Sequence, residues 1–213
     1  MAELEQIFED IMALNRWGEG ESRSGPGSSL SYTCNLRHQL AIFLESFEIT
    51  TFFDAPCGDF HWMKEVALPP GLAYVGGEIA RSLVAQNASK YATDARKFIA
   101  FDVVQDEFPA ADVWFCRDCL FHLPDAAIFS ALSNFCDSKI KLLMMTNHIN
   151  ATGFQNSDIV AGEFRLLDFY AEPFCLPREV LFRIADYVHP FPQREMCVWT
   201  RDQVAAALAK RSR

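Results

Sequence analysis

Three carboxylates close three successive apolar runs. Ile49-Thr-Thr-Phe-Phe-Asp54 ends in Asp54, Leu72-Ala-Tyr-Val-Gly-Gly-Glu78 in Glu78, and Lys97-Phe-Ile-Ala-Phe-Asp102 in Asp102. One terminal acid means little, but three in order form a pattern able to accept several hydrogen bonds or to face a cation. Two later runs lead into groups suited to acid–base work. Ala111-Asp-Val-Trp-Phe-Cys116 is followed by Arg117, Asp118 and His122, and Lys139–Thr146 by Asn147 and His148. Imidazoles titrate near neutral pH, so His122 and His148 are candidate general bases. His122 is equally read as a buried group that caps a helix or packs beside a ligand. Asp118 lies in an otherwise apolar segment and needs a partner; it can orient a histidine, act as base, or hold an ammonium.

The elements that must position these groups follow from hydrophobic period. Residues 3–14 carry apolar positions at helical spacing. Trp17 to Ser29 is rich in Gly and Ser, and is either a lid or a plain disordered loop. A helix over 31–48 follows, with Ser29 or Ser31 as candidate cap. From there strands and helices alternate: strands at 49–54, 72–78, 97–102, 111–116 and 139–146, a helical turn or two at 60–67, and helices at 80–92 and 124–136. Residues 148–164 read as a polar loop. Strands near 181–187 and 195–199 and a helix near 201–210 complete the chain. Near-continuous apolar strands alternating with helices predict a mostly parallel sheet covered on both faces, with an antiparallel final strand. The reading is one domain over 1–213, with a helical cap and lid at 1–48 and a core at 49–213.

Composition narrows the function. The chain has 213 residues and a formal net charge of −9, which argues against broad contact with nucleic acid. Its one basic run, Lys210 to Arg213, reads as a solvated helix end. Seven cysteines, an odd number, and an acidic start fit reduced thiols in the cytoplasm. Cys116-Arg-Asp-Cys119 has no second ligand pair for zinc and does not open a helix, so structural thiols are favoured over a redox pair. A metal held by Asp118, His148 and Glu163 is conceivable, but no fixed spacing demands one. No apolar run is long enough to span a membrane.

In open α/β sheets, ligands bind beyond the carboxyl ends of the strands, where the three acids stand. Gly58 offers a tight turn after the first strand. Glu78 follows it by 20 residues, the spacing at which an acid meets ribose hydroxyls in dinucleotide folds. Asp102 is placed to accept from an adenine amino group.

Three strings in order, Ser24-Gly-Pro-Gly-Ser-Ser29, Asp54-Ala-Pro-Cys-Gly-Asp-Phe-His-Trp-Met63 and Cys116-Arg-Asp-Cys-Leu-Phe-His-Leu123, carry a resemblance. From about Trp17 to Trp199 the chain resembles class I methyltransferases that use S-adenosylmethionine. It looks most like a subgroup found near glycan-building genes or fused to glycosyltransferases. The resemblance implies a Rossmann-like three-layer αβα sandwich with a seven-stranded sheet. It implies that Asp54, Pro56, Gly58 and Asp59 hold the methionine part of the cofactor, Glu78 and Ile79 the ribose, and Asp102 and Val103 the adenine, with Cys116 and Arg117 alongside. Trp17 and Ser28 would close over it, and Arg37 would either clamp its carboxylate or make a surface salt bridge. Pro56 and Phe60 replace the first and third glycines of the usual loop. An acidic loop suits a sulfonium better than the pyrophosphate of a nicotinamide cofactor, so a dehydrogenase is the lesser reading. The implied acceptor is a sugar hydroxyl, with glycosyltransferases as pathway partners. Gly162 to Phe174, aromatic and mixed in charge, with Arg165 as a grip on hydroxyls, is the expected acceptor site. An amine or thiol acceptor, a non-catalytic cofactor-binding protein and a nucleic-acid methyltransferase are the alternatives.

Overall fold

Alternation along each strand builds the sheet and covers both its faces. In the computed structural model, which describes residues 2–18 and 20–211, seven strands lie in the order β3-β2-β1-β4-β5-β7-β6. They are β1 (Thr51–Asp54), β2 (Ala73–Glu78), β3 (Arg96–Ala100), β4 (Val113–Cys116), β5 (Leu142–His148), β6 (Phe182–Ala185) and β7 (Arg194–Thr200). All pairs are parallel except those made by β7, which runs opposite to β5 and β6. The expected antiparallel final strand is therefore present, inserted between β5 and the edge strand β6.

Side chains at period two divide between two cores. Phe53, Trp114, Cys116, Leu143, Met145, Cys197 and Trp199 face one side, under α4 (Asp125–Asp137) and α5 (Arg201–Arg211). Phe52, Val113, Phe115, Met144, Met196 and Val198 face the other, under α2 (Cys34–Ser46). The α3 helix (Arg81–Tyr91) contacts β2 and β3 and adds Tyr91 to the α2 side. The α1 helix (Ala2–Ala13) is tied to the start of α3. There Ala80 offers no capping side chain, and Glu9 instead accepts from the Ser82 N–H at 2.9 Å and the Ser82 hydroxyl at 2.6 Å.

Some elements differ from the sequence reading. The turn or two expected at 60–67 is a single 3-10 turn, Met63–Glu65. The third strand stops at Ala100, so Asp102 lies in the loop beyond it. The fifth strand runs to His148 because its polar end, Asn147 and His148, accepts backbone N–H groups of Phe169 and Leu167. Neither Ser29 nor Ser31 caps α2. Thr33 takes that position without a side-chain cap and donates its hydroxyl back to the Ser29 carbonyl at 2.9 Å. Glu19, inside the Gly/Ser stretch, and the last two residues of the basic run lie outside the described residues.

Phe60 stands where the loop motif would carry its third glycine, and it adopts the left-handed conformation with φ 58°. That conformation costs a non-glycine residue roughly 1–2 kcal/mol. The ring is 1% exposed, among Tyr74, Tyr91 and Phe98 with the Arg96 guanidinium over it at 5.1 Å. Burying a phenylalanine returns roughly 1.5–3 kcal/mol, so packing outweighs the strain.

Candidate active site

Parallel strands deliver their carboxyl ends to one edge, and a cavity of about 300 Å³ opens there. Asp54, Glu78 and Asp102 all line it, as do Pro56, Gly58, Ile79 and Val103. The α1 helix closes one side with Leu4, Phe8 and Met12, none of which the sequence singled out.

Asp54 is 2% exposed, and the hydroxyl of Tyr74 at 2.5 Å is its only hydrogen-bond donor among the described residues. Burial pushes its carboxyl up to about 8; the Tyr74 bond and Arg117 pull the other way, and Glu78 adds to the rise. A buried carboxyl with so little compensation keeps its proton at neutral pH, and a cation brought beside it would favour the carboxylate. Glu78 is raised as well, by burial, against the backbone N–H groups of Ala80 and Gly58 that it accepts at 3.1 and 3.0 Å. It thereby ties the loop after β1 to β2. Asp102 accepts from Val104 N–H at 2.9 Å and Gln105 Nε2 at 3.2 Å. Burial raises it too.

The Gly/Ser stretch is folded against this half rather than loose. Asp59 accepts from the Ser22 hydroxyl at 2.9 Å and Arg23 N–H at 2.8 Å, and its own N–H donates to Ser24 Oγ at 3.2 Å. Its charge is thus spent on the lid, although it borders the cavity. Gly58 has φ 55°, a conformation that favours glycine, and a Cβ there would sit 2.4 Å from Ser24 Oγ, so the lid packs directly on this turn. Trp17 and Ser28 line the cavity from the lid.

Across the cavity, four charges form a buried network. Arg117 donates Nε to Asp186 Oδ2 at 2.8 Å and Nη2 to Asp186 Oδ1 at 3.1 Å. Arg194 lies 2.8 Å from Asp118 and 3.5 Å from Asp186, and Arg117 lies 3.3 Å from Asp118. Arg117 Nη2 also donates to the Gly27 carbonyl at 2.7 Å, fastening the lid. Burial opposes ionisation of Asp118, but Arg117 and Arg194 outweigh it and hold the carboxyl below its usual range. A carboxylate so paired is a weak base, which corrects that reading of Asp118. Arg194 and Asp186 were missed in the sequence. The signal was present, since each is a charged residue flanking an apolar strand and so needs a buried partner.

The two histidines are held in opposite tautomers. His122 Nδ1 lies 2.7 Å from the Glu163 carbonyl, which can only accept, so Nδ1 carries the proton and Nε2 is left basic. Its ring stacks on Trp17 at 4.6 Å, and burial lowers its pKa, with Glu163 opposing. His148 Nδ1 accepts from the Leu167 N–H at 3.1 Å, so the proton sits on Nε2. Burial, then Arg194, lowers it to about 4. His148 is therefore no general base in this arrangement, a correction, and its Nε2 cannot ligate a metal while Nδ1 accepts. Among the described residues no three side chains come together to hold a metal ion.

Two expected cofactor contacts do not reach the cavity. Arg37 donates Nη2 to the Leu30 carbonyl at 3.0 Å, its own helix having turned it toward the lid's far end. Cys116 points into the α4/α5 core, where burial pushes its thiol well up. All seven cysteines are free. Of the expected acceptor stretch 162–174, only Phe164 lines the cavity. Arg165 is buried against Asp125 at 2.8 Å and the Leu123 carbonyl at 2.7 Å, so it serves the scaffold rather than a hydroxyl.

By sequence, no family model and no curated protein matches the chain. Solved structures share its fold. Magnesium protoporphyrin IX methyltransferase (ChlM) from Synechocystis PCC 6803, with bound SAH, superposes with a TM-score of 0.64 at 13% identity, covering 93% of this chain and 100% of that one. The N-methyltransferase NodS from Bradyrhizobium japonicum WM9, in complex with S-adenosyl-L-homocysteine, gives 0.61 at 14% identity, covering 92% and 97%. The methyltransferase domain of bacterial CtHen1 gives 0.60 at 10% identity, covering 81% and 98%. With its strand order and covered sheet, the chain has the Rossmann-like αβα fold of class I S-adenosylmethionine-dependent methyltransferases.

Proposed function

We propose that the chain is an S-adenosylmethionine-dependent methyltransferase whose acceptor is a hydroxyl, carried by a carbohydrate. The observation that carries this reading is a basic nitrogen, His122 Nε2, in the same cavity as a buried carboxyl, Asp54, whose one hydrogen-bond donor among the described residues is the Tyr74 hydroxyl. Two of the structural relatives were crystallised with demethylated cofactor.

On this reading Asp54 faces the cofactor's positive groups, Glu78 and Ile79 its ribose, and Asp102 and Val103 its adenine. Pro56, Gly58 and Ser28 line the methionine part, with Arg117 near its carboxylate. The bound cofactor supplies an activated methyl group. His122 takes the proton of the acceptor hydroxyl through Nε2, with the Glu163 carbonyl holding its ring in place. Trp17 and Phe164 offer aromatic faces to a sugar ring. Residues 1–48 act as cap and lid over the 49–213 core, and the reaction accompanies glycosyl transfer in the cytoplasm, where the free thiols stay reduced.

The test is incubation with methyl-labelled cofactor and a panel of glycans. Label in an alkali-stable methyl ether is the expected result. Label on an amine or thiol, with none on any hydroxyl, contradicts it.

A further inference from the structure

We infer that the acceptor carries an apolar aglycone, which lies outside the reacting site on a rim formed by Phe164 and Phe191. The inference rests on the methyl-transfer reading and narrows its substrate from free sugars to sugars joined to an apolar group. Of the chain's nineteen phenylalanines, two are exposed, Phe164 at 54% and Phe191 at 42%. Both line the cavity. A ring left in water forgoes the gain that buries the other seventeen, and apolar surface gathered at a cavity mouth marks where a ligand's apolar part rests.

Both rings belong to the half of the cavity that holds the base. The end of β5 lies beside the start of β7, with His148 opposite Arg194, and the Ile149 N–H donates to the Gln193 carbonyl at 2.9 Å. Phe164 stands on the segment that leaves β5, its ring 5.4 Å from Phe121 and 6.1 Å from His122. Phe191 stands on the loop that enters β7 and meets Tyr32 edge-on at 5.4 Å. That loop, Tyr187 to Gln193, is exposed throughout and holds no Asp, Glu, Lys or Arg, in a chain that is 22% charged.

From Phe191 the apolar surface runs on. A second groove, of about 280 Å³, shares Pro26, Tyr32 and Phe191 with the cavity and adds the exposed Val188. A group attached to an acceptor in the cavity can therefore pass over Phe191 into this groove without crossing open water. The polar residues of the groove are already engaged. Glu21 accepts from the Leu30 N–H at 3.1 Å and pairs with His61 at 3.0 Å, and the Ser29 and Ser31 hydroxyls lie 3.2 Å apart. A second sugar unit would compete with these bonds, whereas an apolar chain leaves them intact.

Calorimetric titration of the full chain, with S-adenosylhomocysteine present, compares methyl and n-octyl glycosides of each sugar in the glycan panel, below micelle-forming concentrations. For at least one sugar the octyl glycoside is expected to bind at least roughly tenfold tighter, because each methylene taken out of water adds to affinity. No octyl glycoside binding tighter than its methyl partner overturns the inference. So does a methyl disaccharide that gains more than the octyl chain, which would make the groove a second sugar subsite. Phe191→Ser should cut the octyl advantage severalfold with S-adenosylhomocysteine affinity as in the parent, and Phe191→Leu should keep most of it. An advantage undiminished in Phe191→Ser counts against the inference. Sedimentation of the same proteins tests the other occupant: a parent dimer that Phe191→Ser disperses would assign the rim to a second copy and overturn it. Turnover of the labelled cofactor separates the two levels. An octyl glycoside that binds tighter but is never methylated defeats the transferase reading alone, whereas octyl and methyl glycosides bound and methylated equally defeat only the inference.

Discussion

The two halves of the cavity are organised on opposite electrostatic plans. Around β1, β2 and β3, acids are buried with few partners, and their pKa values rise. Around β4, β5 and β7, Arg117, Arg194, Asp118 and Asp186 neutralise one another, and the histidines are lowered to the neutral state. The first half is short of positive charge and suits a cationic ligand. The second is balanced and leaves one base, His122, for an acceptor. Both face one space because parallel strands end together, so a cation and a nucleophile can meet without either half having to change its charge.

The sharpest way to break this contrast is at His122. His122→Ala should lower kcat by roughly 10²–10⁴-fold, the usual range for a general base, with cofactor affinity unchanged. Steady-state rates combined with calorimetric titration check it; a parallel loss of affinity would move His122 to the first half.

Next in size is the charge network. Removing one member of a buried ion pair typically costs about 3–5 kcal/mol, because its partner is left uncompensated. Asp186→Ala should therefore unfold at markedly lower denaturant concentration than the parent. A change within about 0.5 kcal/mol, the usual scatter for surface sites, would show that the network adds nothing.

The lid offers a smaller, separable effect. Asp59→Asn keeps hydrogen-bonding capacity but loses charge, and Asp59 meets the lid through neutral donors, so cofactor affinity should fall only severalfold. A loss of a hundredfold or more would restore Asp59 as a direct partner of the cation.

The pH dependences differ in sign of cause. Asp54, facing Tyr74, Glu78 and Arg117, holds its proton below about pH 8. A cation needs the carboxylate, so cofactor affinity should rise with pH by at most roughly tenfold per unit and level off above that value. His122 works unprotonated and is lowered by burial, so the acidic limb of kcat should lie below the ordinary imidazole range. An affinity that falls between pH 6 and 8 would reverse the assignment of Asp54.

These halves were not equally legible in the sequence. Each acid of the first half ends its own apolar run, so strand, edge and carboxylate could be read locally. The second half depends on partners far along the chain. His122 is set by a carbonyl 41 residues on and His148 by an N–H 19 residues on, and period and propensity carry no such information. Arg117 meets Asp186 across 69 residues. Asn147 and His148 looked like the start of a loop because their burial needs the 163–169 segment to fold back. Asp59 read as an acid for the ligand because the lid that consumes it lies 35 to 37 residues upstream.

The most direct measurement is calorimetric titration of S-adenosylmethionine into the parent chain and Asp54→Asn at about pH 8. One-to-one binding in the parent, weakened at least roughly a hundredfold in the variant, is the predicted result. No binding to the parent, or equal binding to both, would contradict the claim that a cation-seeking acid at the tip of β1 defines this site.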